Sequence, residues 1–194
     1  MSEFEIYLKL GIDHILDLDA YDHIVFIVAL HAVYTLKEWR KVLILVTSFT
    51  IGHSITLMLS AFDVIPVNTR LIEFLIPVTI LMTSIYNVFD KEEKHKQKIR
   101  LNYFLALIFG LIHGMGFSNY FKSLMGMEEN VVLPLFAFNL GVEIGQLAIV
   151  AIILVALWIF IDKLKILHRD WNLFISGSTA GISLLLIKET AYFL

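Results

Sequence analysis

The chain has 194 residues, of which 58% are hydrophobic and only 17% charged, and its mean hydropathy is +0.79. A soluble domain is nearer ~25% charged, so a water-soluble globule is excluded. The net charge of -3 leaves no basic footprint for nucleic acid. The absence of Cys excludes disulfides, thiolate metal sites and thiol nucleophiles.

The N-terminus reads Met-Ser-Glu-Phe-Glu, acidic where a signal peptide is basic, so the first hydrophobic segment is expected to stay in the protein. Residues 1–20 mix Ile6, Leu8, Leu10, Ile12, Ile15 and Leu16 with Glu3, Glu5, Asp13, His14, Asp17 and Asp19. This pattern predicts a short interfacial or re-entrant segment. A membrane span needs ~20 mostly apolar residues. Six such segments follow, at 22–36, 41–61, 70–89, 101–121, 132–161 and 171–193. The first is short, and the fifth is long enough to tilt or to extend beyond the hydrocarbon. No series of segments alternates with period two, which argues against a barrel. The expected fold is a single all-α membrane domain, a bundle of about six transmembrane helices.

Lys and Arg set the orientation. Eleven of the fifteen fall in one set of loops: Lys37, Arg40 and Lys41; Lys91, Lys94, Lys96, Lys98 and Arg100; Lys163, Lys165 and Arg169. Lys9, Arg70, Lys122 and Lys188 fall on the other side. The bias predicts both termini outside and loop 90–100 in the cytoplasm. Spans two and four share Phe-x-x-x-His, at Phe49/His53 and Phe109/His113, and would run the same way, a hint of an internal repeat.

Ionisable groups inside a span are costly, at ~2.5–3.5 kcal/mol each on insertion scales, and mark function. At 1.5 Å per residue, His53 and His113 each lie ~18 Å from the inner end of their span. Glu143 and Glu73 fall further toward the outer side, and Asp22 and His23 open the first span just after His14. Thr47, Thr50 and Ser54 form one stripe of span two beside His53. Asn139, Glu143 and Gln146 form a stripe along span five. Gly110-x-x-x-Gly114 permits close helix approach. Imidazoles with carboxylates suit a divalent first-row metal such as nickel, cobalt or zinc. Ser54, Asn139, Gln146 or a carboxylate such as Glu73 would orient the ligands.

Blander roles fit the remaining polar residues. His31 reads as an interhelical hydrogen-bond partner, and His95 and His168 read as solvated. Met125-Gly-Met127 reads as loop packing, and the Ser, Thr and Gly residues from Ser176 to Ser183 as helix packing. Asn87, on a stripe with Glu73, Pro77, Ile80 and Ser84, is the one inner-half candidate for an ion release path.

Five ordered blocks resemble one family. They are Gly11-Ile-Asp-His14-Ile-Leu, Asp22-His23-Ile-Val-Phe, Thr47-Ser-Phe-Thr-Ile-Gly-His53-Ser-Ile-Thr-Leu, Phe109-Gly-Leu-Ile-His113-Gly-Met-Gly-Phe and Phe138-Asn-Leu-Gly-Val-Glu143-Ile-Gly-Gln146. Together they look like the HupE/UreJ family of bacterial membrane proteins. The resemblance implies nickel or cobalt handling in the bacterial inner membrane, with His14, Asp22, His23, His53, His113 and Glu143 as metal ligands. The segment from His14 to Asp22 departs from the family by lacking a Gly-containing turn. Two functional readings follow: a divalent-metal permease, and a membrane-embedded metal-dependent hydrolase with its site in the outer half of the bilayer. A third, a scaffold whose polar groups only set helix packing, would hold no metal. The expected partners are the lipid bilayer and the ion, and a homo-oligomer is compatible with the sequence.

Overall fold

The computed structural model describes residues 2–62, 64–65, 67–89, 99–125 and 131–191. Residues 90–98, with Lys91, Lys94, His95, Lys96 and Lys98, and Met127 lie outside the described residues. Seven α-helices and no strand occur among the described residues: α1 Glu3–Leu16, α2 Asp22–His31, α3 Trp39–Ala61, α4 Thr69–Phe89, α5 Ile99–Met125, α6 Val132–Leu157 and α7 His168–Ala191. A π-helical turn, Trp158–Lys163, prolongs α6, and Lys165 at φ 59° breaks the chain away from it.

Four stretches are long and apolar enough to cross a membrane: Leu36–Ser60, Thr69–Phe89, Asn102–Leu124 and Val132–Lys163. The chain is a multi-pass membrane protein. The other two expected spans differ from expectation. The helix in the first stops at His31, not 36, because Ala32 turns its N–H to the Ala29 carbonyl and a Thr35–Glu38 capping box opens a new turn into α3. α7 has 24 residues, but its Ser, Thr and Gly content holds its hydropathy below that of the other four.

The N-terminal segment is a 14-residue helix. Ser2 Oγ accepts the Glu5 N–H and the Glu5 carboxylate accepts the Ser2 N–H, a reciprocal cap that starts the helix. α1 does not lie alone on a surface. It packs lengthwise on α6, as α3 packs on α5 and α4 on α7. Glycine makes the first two pairings tight. A Cβ on Gly11 would strike the Phe138 carbonyl, and one on Gly141 the Leu8 carbonyl. In the second pair, Gly110 meets the Phe49 carbonyl, Gly52 the Leu107 carbonyl and Gly114 the His53 carbonyl. Backbone lies on backbone at both crossings, the close approach that small residues permit in membranes.

The third layer is held by polar contacts. Ser84 Oγ and Thr179 Oγ1 lie 2.7 Å apart between α4 and α7. Asn87 Nδ2 donates to the Ala29 carbonyl of α2 at 2.7 Å, and Asn172 Nδ2 donates to the Asn87 carbonyl at 2.9 Å. Ser176, Thr179 and Ser183 are buried here, in keeping with a packing role. His168 is not simply solvated, since its Nε2 reaches the Tyr34 carbonyl at 3.2 Å.

Gly110→Leu or Gly11→Leu forces a side chain into backbone, and either is expected to cost at least ~1–3 kcal/mol. Gly177, where an added Cβ would meet nothing within 4 Å, is expected to tolerate Leu. Thermal unfolding of the detergent-solubilised variants measures the contrast; equal stability for all three would refute the crossings.

Candidate metal centre

Four helices each bring one histidine to the same place. α1 carries His14, α2 His23, α3 His53 and α5 His113. The glycine crossings aim them: His14 follows Gly11 by three residues, His53 follows Gly52 directly, and His113 lies between Gly110 and Gly114. One ligand atom from each of His14, His23 and His53 lies within 4.8 Å of the others. The His113 ring lies 5.4 Å from that of His23, and the His14 ring 4.5 Å from it. Nitrogens at ~2.0–2.1 Å from one ion stand at most ~4 Å apart. The His14, His23 and His53 ligand atoms would close on an ion by drawing in on the order of 1 Å or somewhat more.

The hydrogen bonds decide which nitrogens are free. His113 Nδ1 donates to the Phe109 carbonyl at 2.8 Å. His23 Nδ1 donates to Asp22 Oδ1 at 3.1 Å, and the same oxygen accepts the His23 backbone N–H at 2.9 Å. In both rings the proton sits on Nδ1, and the Nε2 lone pair points away from it. His14 Nε2, His23 Nε2, His113 Nε2 and both nitrogens of His53 are buried with no hydrogen-bond partner. Each such atom costs ~1–3 kcal/mol if nothing satisfies it. A cation among them would satisfy several at once. The donor set therefore fits a divalent transition metal.

Aromatic rings wall the cluster. His14 packs on Phe117 at 3.9 Å between ring centroids. His53 stacks with Phe49 at 6.2 Å and with Phe138 at 6.3 Å. His113 lies 5.2 Å from Phe26 and 5.1 Å from Phe49. These phenylalanines pack against the imidazole rings and surround them with apolar surface. The sequence pattern alone does not assign them this role, although the four-residue spacing of Phe49 to His53 is visible in it.

The other candidates are placed differently. Asp22 is oriented on His23, a carboxylate–histidine arrangement that fixes tautomer and ring direction. Glu143 does not join the four histidines; its Oε1 accepts the Thr47 hydroxyl at 2.7 Å, between α6 and α3. Gln146 Oε1 accepts the Thr50 hydroxyl at 2.7 Å. Asn139 donates to the Leu135 carbonyl, and its buried Oδ1 has no partner of hydrogen-bonding geometry. Ser54 donates to the Thr50 carbonyl of its own helix. Glu73 is exposed and lines a cavity of about 190 Å³ with Asp19, Asp22, Pro77 and Thr190. His31 is not an interhelical partner, because its Nδ1 donates to Ile27 one turn earlier on α2.

The HupE / UreJ protein family matches residues 1–192, essentially the whole chain, so the chain belongs to that family. No curated protein and no solved structure gives a significant match.

His53→Ala is expected to abolish stoichiometric binding of Ni²⁺ or Co²⁺ by the purified protein. Asp22→Asn is expected to weaken it by about 10–100-fold, the usual effect of losing a carboxylate behind a ligating histidine. Calorimetric titration with either ion measures both. Unchanged affinity in both variants would mean that the cluster is not the site.

Proposed function

We propose that this member of the HupE / UreJ family binds a divalent transition-metal ion, nickel or cobalt, at its four-histidine cluster and carries it across the bacterial inner membrane. The observation that carries the reading is the convergence of unpartnered imidazole nitrogens from four helices at one place in the bundle. Intramembrane ionisable groups gathered in this way mark substrate and ion pathways. Imidazole nitrogen, without thiolate, suits borderline ions and not hard ones such as Mg²⁺ or Ca²⁺.

His14, His23, His53 and His113 would hold the ion, and Asp22 would position His23. Asp19, Asp22 and Glu73 would draw cations into the cavity on the outer side, since acidic clefts concentrate them. Glu143, with Thr47, Thr50, Gln146 and Asn139, would receive the ion next, along the seam between α3 and α6. Asn87 is less suited to release, because its side chain is committed to α2.

We further propose six passes with both termini outside. α1 and α2 would together make the first pass as two halves of a broken helix. Their 14 and 10 residues amount to ~36 Å of helix, against a ~30 Å hydrocarbon core. Broken helices of this kind form the ion sites of many transporters. The hydrolase reading has less support. It requires a carboxylate base and an open ligand position for water, whereas Asp22 faces His23 Nδ1 and phenylalanines wall the cluster.

Vesicles containing the purified protein are expected to accumulate radioactive nickel, and His113→Ala vesicles to lose at least 90% of that uptake, a tenfold effect of ~1.4 kcal/mol. Glu143→Gln is expected to slow uptake while leaving equilibrium binding within a few-fold of wild type. Bound metal without flux would sink the permease reading. A reporter fused after Lys94 is expected to read cytoplasmic; a periplasmic signal would overturn the orientation.

A further inference from the structure

The two glycine crossings repeat one register. Leu8-x-x-Gly11-x-x-His14 on α1 matches Leu107-x-x-Gly110-x-x-His113 on α5, and Phe49-x-x-Gly52 on α3 matches Phe138-x-x-Gly141 on α6. The contacts obey the same rule. Gly11 meets Phe138 and Gly141 meets Leu8; Gly110 meets Phe49 and Gly52 meets Leu107. Every one of these glycines touches the carbonyl three residues before its partner glycine. One turn onward the correspondence persists, with Gly145 against Ile15 in one pair and Gly114 against Thr56 in the other.

Direction completes the relation. Contacts advance together along α1 and α6, from Gly11–Phe138 to Ile15–Gly145, and along α3 and α5, from Phe49–Gly110 to Thr56–Gly114. Each pair is parallel. Between the pairs the contacts oppose: passing from Tyr7 to His14 on α1 goes with passing back from Phe121 to Phe117 on α5. The two pairs therefore point opposite ways. Each half of the chain presents a histidine helix, then a phenylalanine–glycine helix, then one more: α1, α3, α4 and α5, α6, α7. The third members pair with each other in opposite directions, through Ser84–Thr179 and Asn87–Asn172. α2 is interposed in the first half alone.

We infer that α1, α3 and α4 and α5, α6 and α7 are inverted copies of one three-helix unit that have exchanged partners, and that the bodies α1/α6 and α3/α5 rock about the histidine site to open it inward along the Thr47–Gln146 seam. The motion rests on the transport reading above. The site lies where such a repeat places it, at the interface of the copies, with the equivalent residues His14 and His113 supplied by opposite bodies. Transporters built on inverted repeats alternate access in this way. Each body is rigid because its backbones are in contact. Between the bodies lie side-chain hydrogen bonds, Thr50–Gln146 and Thr47–Glu143, which can break and re-form.

The chain has no Cys, so introduced thiols are the only ones present. Tyr7→Cys with Phe121→Cys, whose rings lie 6.1 Å apart and outside the ion path, joins the two bodies when bridged by a short, reducible bifunctional thiol reagent; Ser84→Cys with Thr179→Cys joins α4 to α7 and leaves the bodies free. In vesicles fed radioactive Ni²⁺, bridging the first pair is expected to cut uptake at least tenfold, reversibly on reduction, while Ni²⁺ stoichiometry in detergent stays at the wild-type value. Bridging the second pair is expected to leave uptake within twofold. Undiminished uptake with the cross-body link in place overturns the rocking bodies and leaves transport standing. Bound Ni²⁺ without uptake in wild-type vesicles overturns the transport reading, and the motion with it.

Discussion

Backbone contact at glycine sets the distances on which the rest of the molecule depends. Two helices separated by ordinary side chains stand 8–10 Å apart, and imidazoles reaching across that gap would be slack. With Gly52 on Leu107 and Gly110 on Phe49, α3 and α5 approach closely enough for His53 and His113 to share one space. Gly11 and Gly141 do the same for α1 and α6, and so bring in His14. The imidazole nitrogens gathered there are buried and without hydrogen-bond partners, so the contact that brings the rings together also leaves them unsatisfied.

The polar residues of the bundle divide into two kinds. Asn87, Asn172, Ser84 and Thr179 find partners across α2, α4 and α7 and tie those helices together, as interhelical hydrogen bonds do in lipid. The four central histidines each leave at least one buried nitrogen unpartnered. The distinction is chemical and not one of depth. Amides and hydroxyls can satisfy one another within a packed bundle. His23 and His113, which donate from Nδ1, are each left with an acceptor on Nε2, and in the proposed reading a cation would satisfy it.

Much of this was legible in the sequence. Membrane insertion, the helical class and the family followed from composition and from five ordered motifs. The boundaries of α4 and α6 fell close to the expected spans because long apolar runs have few alternatives. His53 and His113 share a depth because each lies about twelve residues from a span end, and rise per residue is fixed. Azimuth was less legible. Glu143 shares the stripe of Asn139 and Gln146, but it lies two residues after Gly141, ~200° around the helix at 100° per residue. Gly141 and Gly145 face α1, so Glu143 turns away from that seam and meets Thr47. The early end of α2 was equally hidden, because a capping box four residues downstream competed with an apolar pattern that would have carried the helix on. The swapped repeat was hidden by its order: Phe-x-x-x-His in spans two and four suggested equivalence between helices that pack on each other, whereas the equivalent helices belong to different pairs.

The proton positions on two of the histidines bear on the energetics of an ion at the site. His23 and His113 keep their protons on Nδ1, held by Asp22 and by the Phe109 carbonyl, and coordinate through an Nε2 that has none to lose. An ion taken up by these rings displaces no proton from them, so its charge is not cancelled by a counterflow at those ligands. Asp22 stays with the protein. On the proposed inward transport, a divalent cation would move two positive charges down an inside-negative potential, worth ~4.6 kcal/mol per 100 mV. That is more than a thousandfold in concentration ratio. Neutral imidazoles that release no proton on binding would thus let the membrane voltage drive accumulation.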